Sequence, residues 1–493
     1  SLLLDVQFNA DGTATDNGKY LMDIIAYPGE GMSTITDEDY PYGNVVKFTN
    51  NNGTNVSLTN SFYMLDYNNA EDFKNSLVDE DGFTMELVVK HAFYSREGQY
   101  SWQNPVTSNS FGLFLKGTDS SNNAGWLVSR NSSDANASSP FSTAENLKFS
   151  PHLNRYHHYT YVYDKMNSRV LFYCDGEFIR EVANVTLGEG KRLAIGGYPS
   201  SENMIEHGFT GSVALVRIYA SAMTASQTKT RYQELNLPSA YEAVGEPLFD
   251  AQFNADGTAE NIGTADLSIE TIANSNVLTT VQKGDKYVAN FYRASKNNSK
   301  ILDGFYLTDY SKNSDFLNSL KDGYTMEVIC KVKQYEGDYW SKVFSTSTAG
   351  IHHQGAYSVE SEAWCWGIYG NAEPDQWNTG NGFGSFRSNF FWGPKVSFTS
   401  YEHVLLVFDG ASNVFAMYVN GEHIHSYASP KMEANVGTML AIGGMPYSDK
   451  SVYHPFVGEV AVARVYDQVM SINQAAERFA EEQPTIDALN AAQ

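Results

Sequence analysis

The sequence is poor in cysteine, poor in positive charge and free of long apolar runs. Its three cysteines, Cys174, Cys330 and Cys365, are too few for a disulfide framework, and none has a second cysteine at metal-ligand spacing. Cys174 and Cys330 sit inside apolar runs, which predicts buried free thiols. Lys and Arg number 33 against 57 Asp and Glu, a formal charge of −24. A field of that sign repels phosphate backbones and anionic lipid, so nucleic acid and membrane surfaces are poor partners, and neither nucleic-acid binding nor membrane insertion is expected. No stretch approaches the about 18 consecutive apolar residues of a membrane-inserted helix. The start, Ser1-Leu2-Leu3-Leu4-Asp5, has neither a basic segment nor an apolar core of useful length. Either the protein is cytoplasmic or a signal has been removed. No Gly-x-Ser-x-Gly elbow and no phosphate loop occurs. His157-His158 and His352-His353 are adjacent pairs, which point to opposite faces of a strand. His423 and His425 share a face, but two ligands fall short of a zinc set, and surface strand histidines are expected.

What the chain does have is apolar mass and repetition. Hydrophobic residues make up 42% of its 493 residues, enough for large cores, and aromatics 14%. Aromatic side chains favour strands and also stack on sugars. The segment QFNADGTA at residues 7–14 returns at 252–259. Gly82-Phe83-Thr84-Met85-Glu86 returns as Gly323-Tyr324-Thr325-Met326-Glu327, and Leu193-Ala194-Ile195-Gly196-Gly197 as Leu440-Ala441-Ile442-Gly443-Gly444. Gly211 through Tyr219 matches Gly458 through Tyr466. The offsets of 245, 241, 247 and 247 mean one domain in two tandem copies.

Within each copy the period is two. Val170–Cys174, Asp175-Gly176 and Glu177–Ile179 read as two strands around a two-residue turn, and Phe415–Val419, Asn420-Gly421 and Glu422–Ile424 repeat it. Asp-Gly and Asn-Gly accept positive φ at both central positions, as a type I′ turn requires. Many short strands, with a helix only at the end of each copy (Thr224–Leu235; Ser471–Glu482), indicate an all-β sandwich. The breaker-rich stretch 236–247 marks the junction. The expected division is a sandwich over 1–238, a linker over 239–247, a second sandwich over 248–483 and a tail over 484–493.

These blocks, in this order, resemble the laminin-G-like or concanavalin A-like jelly-roll domains. The carriers are the Gly-Phe-Thr-x-Glu strand, then His158–Asp164 and His403–Asp409, the Tyr-x-Asn/Asp-Gly hairpin, Ile-Gly-Gly, and Phe209-Thr210-Gly211 and Phe456-Val457-Gly458 opening the last strand. The resemblance implies two tandem concanavalin A-like β-sandwiches. It implies a non-catalytic carbohydrate-binding or adhesion module of a secreted, periplasmic or surface protein, of the kind found in glycan-degrading bacteria. The partner it implies is a polysaccharide or glycoconjugate, with a protein partner as the other course. The superfamily also holds glycoside hydrolases of the β-glucanase kind and structural modules appended to enzymes, and both readings stay open.

Hydrolysis on this fold needs two carboxylates on one strand face about 5–5.5 Å apart for retention. Glu360 and Glu362 come nearest, without the intervening Asp or a third acid. Sugar binding needs exposed aromatic faces and planar polar groups. Trp126 and Trp366 match between copies and are expected in the core, and Trp102 and Trp340 pair similarly. Trp364, Trp377 and Trp392 have no counterpart. The last two lie in a Gly- and Asn-rich insertion with Asp375, Gln376, Asn378 and Arg387, and this set is the expected ligand site. The matching loop of copy one has no Trp, so copy one reads as a spacer or a degenerate binder. Laminin-G-like domains often hold Ca²⁺. The resemblance therefore directs a structural ion to the duplicated turns at Asn9, Asp11, Asn254 and Asp256. Glu86 and Glu327 recur in both copies and are expected to pair with Arg217 and Arg464 within the fold.

Overall fold

The computed structural model describes residues 1–51, 57–79, 81–92, 102–116, 125–129, 144–292, 300–333, 340–356, 358–368, 395–428, 436–447 and 449–492. The chain divides into two compact units, residues 1–240 with 426–432, and residues 241–425 with 433–493. Both units are all-β jelly-roll sandwiches.

In the first unit the main sheet has nine described strands. Glu177–Ala183, Arg169–Cys174, Tyr156–Asp164, Gly82–His91, Thr210–Tyr219 and Leu2–Phe8 lie side by side in that order, all antiparallel. A second sheet places Phe62–Asp66 and Arg192–Ile195 at its centre. Leu4 and Val6 from the first sheet meet Tyr63, Leu65, Leu193 and Ile195 from the second along an apolar seam. The other face of the main sheet buries Val45, Val88, Tyr156 and Leu215 under Leu235 at the end of the helix Ala225–Leu235. The strand Gly82–His91 is therefore covered on both faces, which is why its apolar run does not alternate.

The second unit repeats the design. Its nine-stranded sheet centres on Gly458–Tyr466, Gly323–Val332 and Glu402–Asp409. A six-stranded sheet runs in the order Glu270–Ile272, Phe305–Asp309, Met439–Ile442, Trp340–Thr346, Ala349–Ala356 and Ser358–Ile368. The terminal helix runs Ile472–Ala491 and passes through Pro484. It buries Ile486 and Leu489 against Val288, Ile329 and Val462. Residues 484–491, expected as a tail, belong to this helix because two apolar positions past the proline reach the sheet.

Local chemistry explains the punctuation. Both terminal helices open on a capping box, Thr224 with Gln227 and Ser471 with Gln474, which satisfies the first free backbone N–H groups. Both hairpins turn through left-handed pairs, Asp175-Gly176 at φ 50° and 78° and Asn420-Gly421 at 50° and 79°. Cys174 and Cys330 are buried free thiols. His423 and His425 are buried too, a correction to their expected surface placement. Their strand Glu422–Ala428 joins the nine-stranded sheet, and burial there follows from the fold and not from their own polarity.

Candidate functional site

The duplicated glutamates lie in the middle of an almost wholly buried strand of each unit. A carboxylate there must be fully hydrogen-bonded, or burial would neutralise it. Glu86 Oε1 lies 3.0 Å from His158 Nε2 on the neighbouring strand, and Glu86 Oε2 accepts from Tyr219 OH at 3.0 Å. The helix supplies Arg231, 3.3 Å from Oε2, while Arg217 stands off at 3.7 Å and bonds chiefly to Asp5. Burial pushes the Glu86 pKa up, but the His158 bond and charge, with Arg231, outweigh it and hold it at about 2.

The second unit builds the same constellation more tightly. Glu327 meets His403 Nε2 at 2.8 Å, Tyr466 OH at 2.9 Å and Arg464 at 3.2 Å. Arg478 of the terminal helix binds both carboxylate oxygens, at 2.9 and 3.3 Å. Arg464 also holds Asp250 and Glu482. Burial again acts upward on the Glu327 pKa, and His403, Arg478 and Arg464 overcome it and keep the group ionised. The residue after each helix arginine, Tyr232 or Phe479, stacks on the same histidine at 5.9 Å. Tyr232 and Phe479 also pack against the turn glycines Gly176 and Gly421.

An acid held ionised among two cations, an imidazole and a phenol neither donates a proton nor attacks a substrate. The arrangement latches the terminal helix to the sheet. The expected Glu327–Arg464 pair exists, and Arg217 is the weaker partner of Glu86. Sequence reasoning missed the helix arginines and the histidines. The signal was present: Arg231 and Arg478 recur at an offset of 247, and His158 and His403 at 245.

The other expected site residues separate into three groups. Trp364 is a correction: its ring is fully buried in the strand Ser358–Ile368, and Nε1–H donates to Glu402 at 2.9 Å. A ring with no exposed face cannot stack on a sugar. Burial raises the Glu402 pKa against the hydrogen bonds from Ser397 N–H and Trp364. Trp377, Trp392, Asp375, Gln376, Asn378 and Arg387 lie outside the described residues, as do the side chains of Glu360 and Glu362. In sequence, the insertion that carries Trp377 and Trp392 lies between the strands Ser358–Ile368 and Glu402–Asp409.

The duplicated turns are well defined. Asp11 Oδ1 accepts from Thr13 N–H at 3.0 Å and from its hydroxyl at 2.6 Å, and Asp256 accepts from Thr258 at the same distances. The Gly12 and Gly257 carbonyls accept from Tyr63 and Tyr306. Asn9 and Asn254 each donate a side-chain bond to the turn threonine. Both QFNADGTA turns are thus closed by the same bonds.

Residues 65–229 match the family model Laminin_G_3, the concanavalin A-like lectin/glucanases superfamily. The match lies inside the first unit. No curated protein matches the chain. Among solved structures, the binding domain of botulinum neurotoxin DC in complex with SialylT is 11% identical, covering 97% of each chain at a TM-score of 0.33. Domain 4 of AbnA, a GH43 extracellular arabinanase from Geobacillus stearothermophilus, in complex with arabinotriose, is 16% identical. It covers 47% of this chain and 97% of its own at a TM-score of 0.30. A SAP-like pentraxin from Limulus polyphemus is 17% identical over 30% of this chain and 69% of its own, at a TM-score of 0.22.

Proposed function

We propose that this chain is a non-catalytic glycan-binding module that works outside the cell, with its binding surface on the second unit. The observation that carries the reading is the Gly- and Asn-rich insertion over residues 371–393. Its sequence carries Trp377 and Trp392 with Asp375, Gln376, Asn378 and Arg387, and the matching loop of the first unit has no Trp. Aromatic faces beside planar polar groups are the chemistry that takes a pyranose ring. The match of residues 65–229 to a superfamily of lectins and glucanases supports the same class. Binding is favoured over hydrolysis because the described buried glutamates Glu86, Glu327, Glu402, Glu459 and Glu482 are all engaged in bonds within the fold.

The test is a binding screen of the intact chain against soluble and insoluble polysaccharides, with calcium and with chelator. Trp377→Ala and Trp392→Ala should each lower affinity at least tenfold while leaving the circular dichroism unchanged. Chelator sensitivity removed by Asp11→Asn or Asp256→Asn would place the ion at the duplicated turns. Failure to bind any glycan would refute the reading. Hydrolysis of a β-glucan that Glu360→Gln abolishes would replace it with the glucanase reading.

A further inference from the structure

Among the described residues, one group brings three different metal-ligand types together. His157 Nδ1 lies 2.9 Å from Asp175 Oδ2 and 3.8 Å from Cys174 Sγ, and one ligand atom from each of the three falls within 4.8 Å of the others. All three side chains are buried. The hairpin assembles them. Tyr159 stands opposite Cys174 in the pairing of Tyr156–Asp164 with Arg169–Cys174. His157, two residues before Tyr159, therefore shares its face with Cys174. Asp175, left-handed in the turn, folds back over both. His152, also buried, lies edge-on to His157 at 6.4 Å.

The fold does not require this set. The second unit has the same hairpin and the same register, with Glu402, Val419 and Asn420 at the three positions. The backbone bond that Asp175 accepts from the N–H of His158 at 2.8 Å is matched there by Asn420 accepting from the N–H of His403 at 3.0 Å. The hairpin register therefore forms in the second unit without an imidazole, a thiol and a carboxylate at these positions.

We infer that His157, Cys174 and Asp175 form a binding site for a borderline-soft divalent cation, with Zn²⁺ the best fit. Tetrahedral zinc with ordinary Zn–N and Zn–S lengths sets nitrogen and sulfur about 3.6 Å apart, close to the observed separation. The His–Asp pair must open by about 0.5 Å, since two zinc ligands cannot stay at hydrogen-bond distance. Charge favours the ion. One thiolate and one carboxylate cancel the charge of Zn²⁺, so the loaded site is neutral and its burial carries little desolvation penalty. The Cys174 thiol loses its proton to solvent on binding, and His157 ligates through Nδ1 as a neutral imidazole, so the thiol accounts for one proton released per ion. Without metal, burial and the neighbouring Asp175 keep the thiol protonated. Two strands and a turn supply the ligands from residues 157, 174 and 175, which is why cysteine spacing along the sequence does not reveal them.

The experiment uses the intact chain stripped with chelator, titrated with Co²⁺ as a spectroscopic probe and then with Zn²⁺. A parallel sample is refolded in Co²⁺, so that slow entry to the buried site cannot mask binding. The expected result is one Co²⁺ per chain with a thiolate-to-cobalt band in the near ultraviolet, lost on adding Zn²⁺. Cys174→Val, which installs the residue of the second unit, should abolish the band and weaken Zn²⁺ at least 100-fold. Asp175→Asn should weaken Zn²⁺ at least tenfold and keep the band, and Cys330→Val should change neither. Absence of the band in both samples, or a band that survives Cys174→Val, would overturn the inference.

Discussion

Replacing Glu327 with Gln removes one negative charge from the most heavily bonded carboxylate of the second unit. The amide keeps the shape and one acceptor, so the change isolates charge from packing. It leaves Arg464 and Arg478 partly buried beside a neutral group, with His403 and Tyr466 without their strongest acceptor. Breaking a buried ion pair from one side costs about 3–5 kcal/mol, because the stranded charges stay desolvated. For a domain of roughly 200 residues that lowers the midpoint of thermal unfolding by about 10 °C. Urea unfolding and hydrogen exchange in the strand Gly323–Val332 read the loss directly. A double-mutant cycle with Arg478→Gln should give a coupling above about 1 kcal/mol, since the two side chains share two hydrogen bonds. A loss below about 1 kcal/mol, or single effects that add, would refute the latch. Glu86→Gln should behave alike but more mildly, because Glu86 has one helix arginine at 3.3 Å and Arg217 only at 3.7 Å.

Acid should loosen the first unit in two stages. Burial depresses His91 to about 3 and His207 to about 4, so both stay neutral in the fold; their contribution is complete above 6.5 and is lost as pH falls below it. Glu86 follows, its contribution present above 4.5 and lost down to about 2, worth about 3 kcal/mol at neutral pH. Stability measured from pH 8 to pH 2 should therefore fall steadily with acid, and Glu86→Gln should flatten only the part below 4.5. A profile unchanged by that substitution would contradict the assignment. Trp364→Ala should destabilise the second unit by about 3–5 kcal/mol, by opening a cavity and removing the bond to Glu402. A Trp364→Ala chain of unchanged stability that no longer binds glycan would instead mark a surface role.

Several parts of this protein were legible before any coordinates. Period-two patterning, Asp-Gly and Asn-Gly turns and terminal helices are short-range chemistry and are present where the residues indicated, but the internal helices Glu71–Leu77 and Ser314–Ser319 correct the expectation of a helix only at the end of each copy. The duplicated glutamates read as structural for a sound reason, since repetition across two copies marks what the fold needs. Trp364 misled because a missing counterpart looked like an added function. The ring is a core side chain whose indole N–H meets an acid, Glu402, that replaces the first unit's His157. The terminal helix outran its expected end because a proline normally stops a helix, whereas here Ile486 and Leu489 gain burial by continuing past it.

Sequence was enough for the class of fold, the turns and the acid–arginine theme, because each depends on residues close in the chain or on blocks that recur along it. Tertiary structure alone decided which arginine reaches each glutamate, which histidines are buried, and that His157 stands beside Cys174 and Asp175. Those facts depend on strand register and on a helix crossing the sheet. Register is set by the summed burial of many side chains and not by any one residue, so no local pattern announces what it brings together.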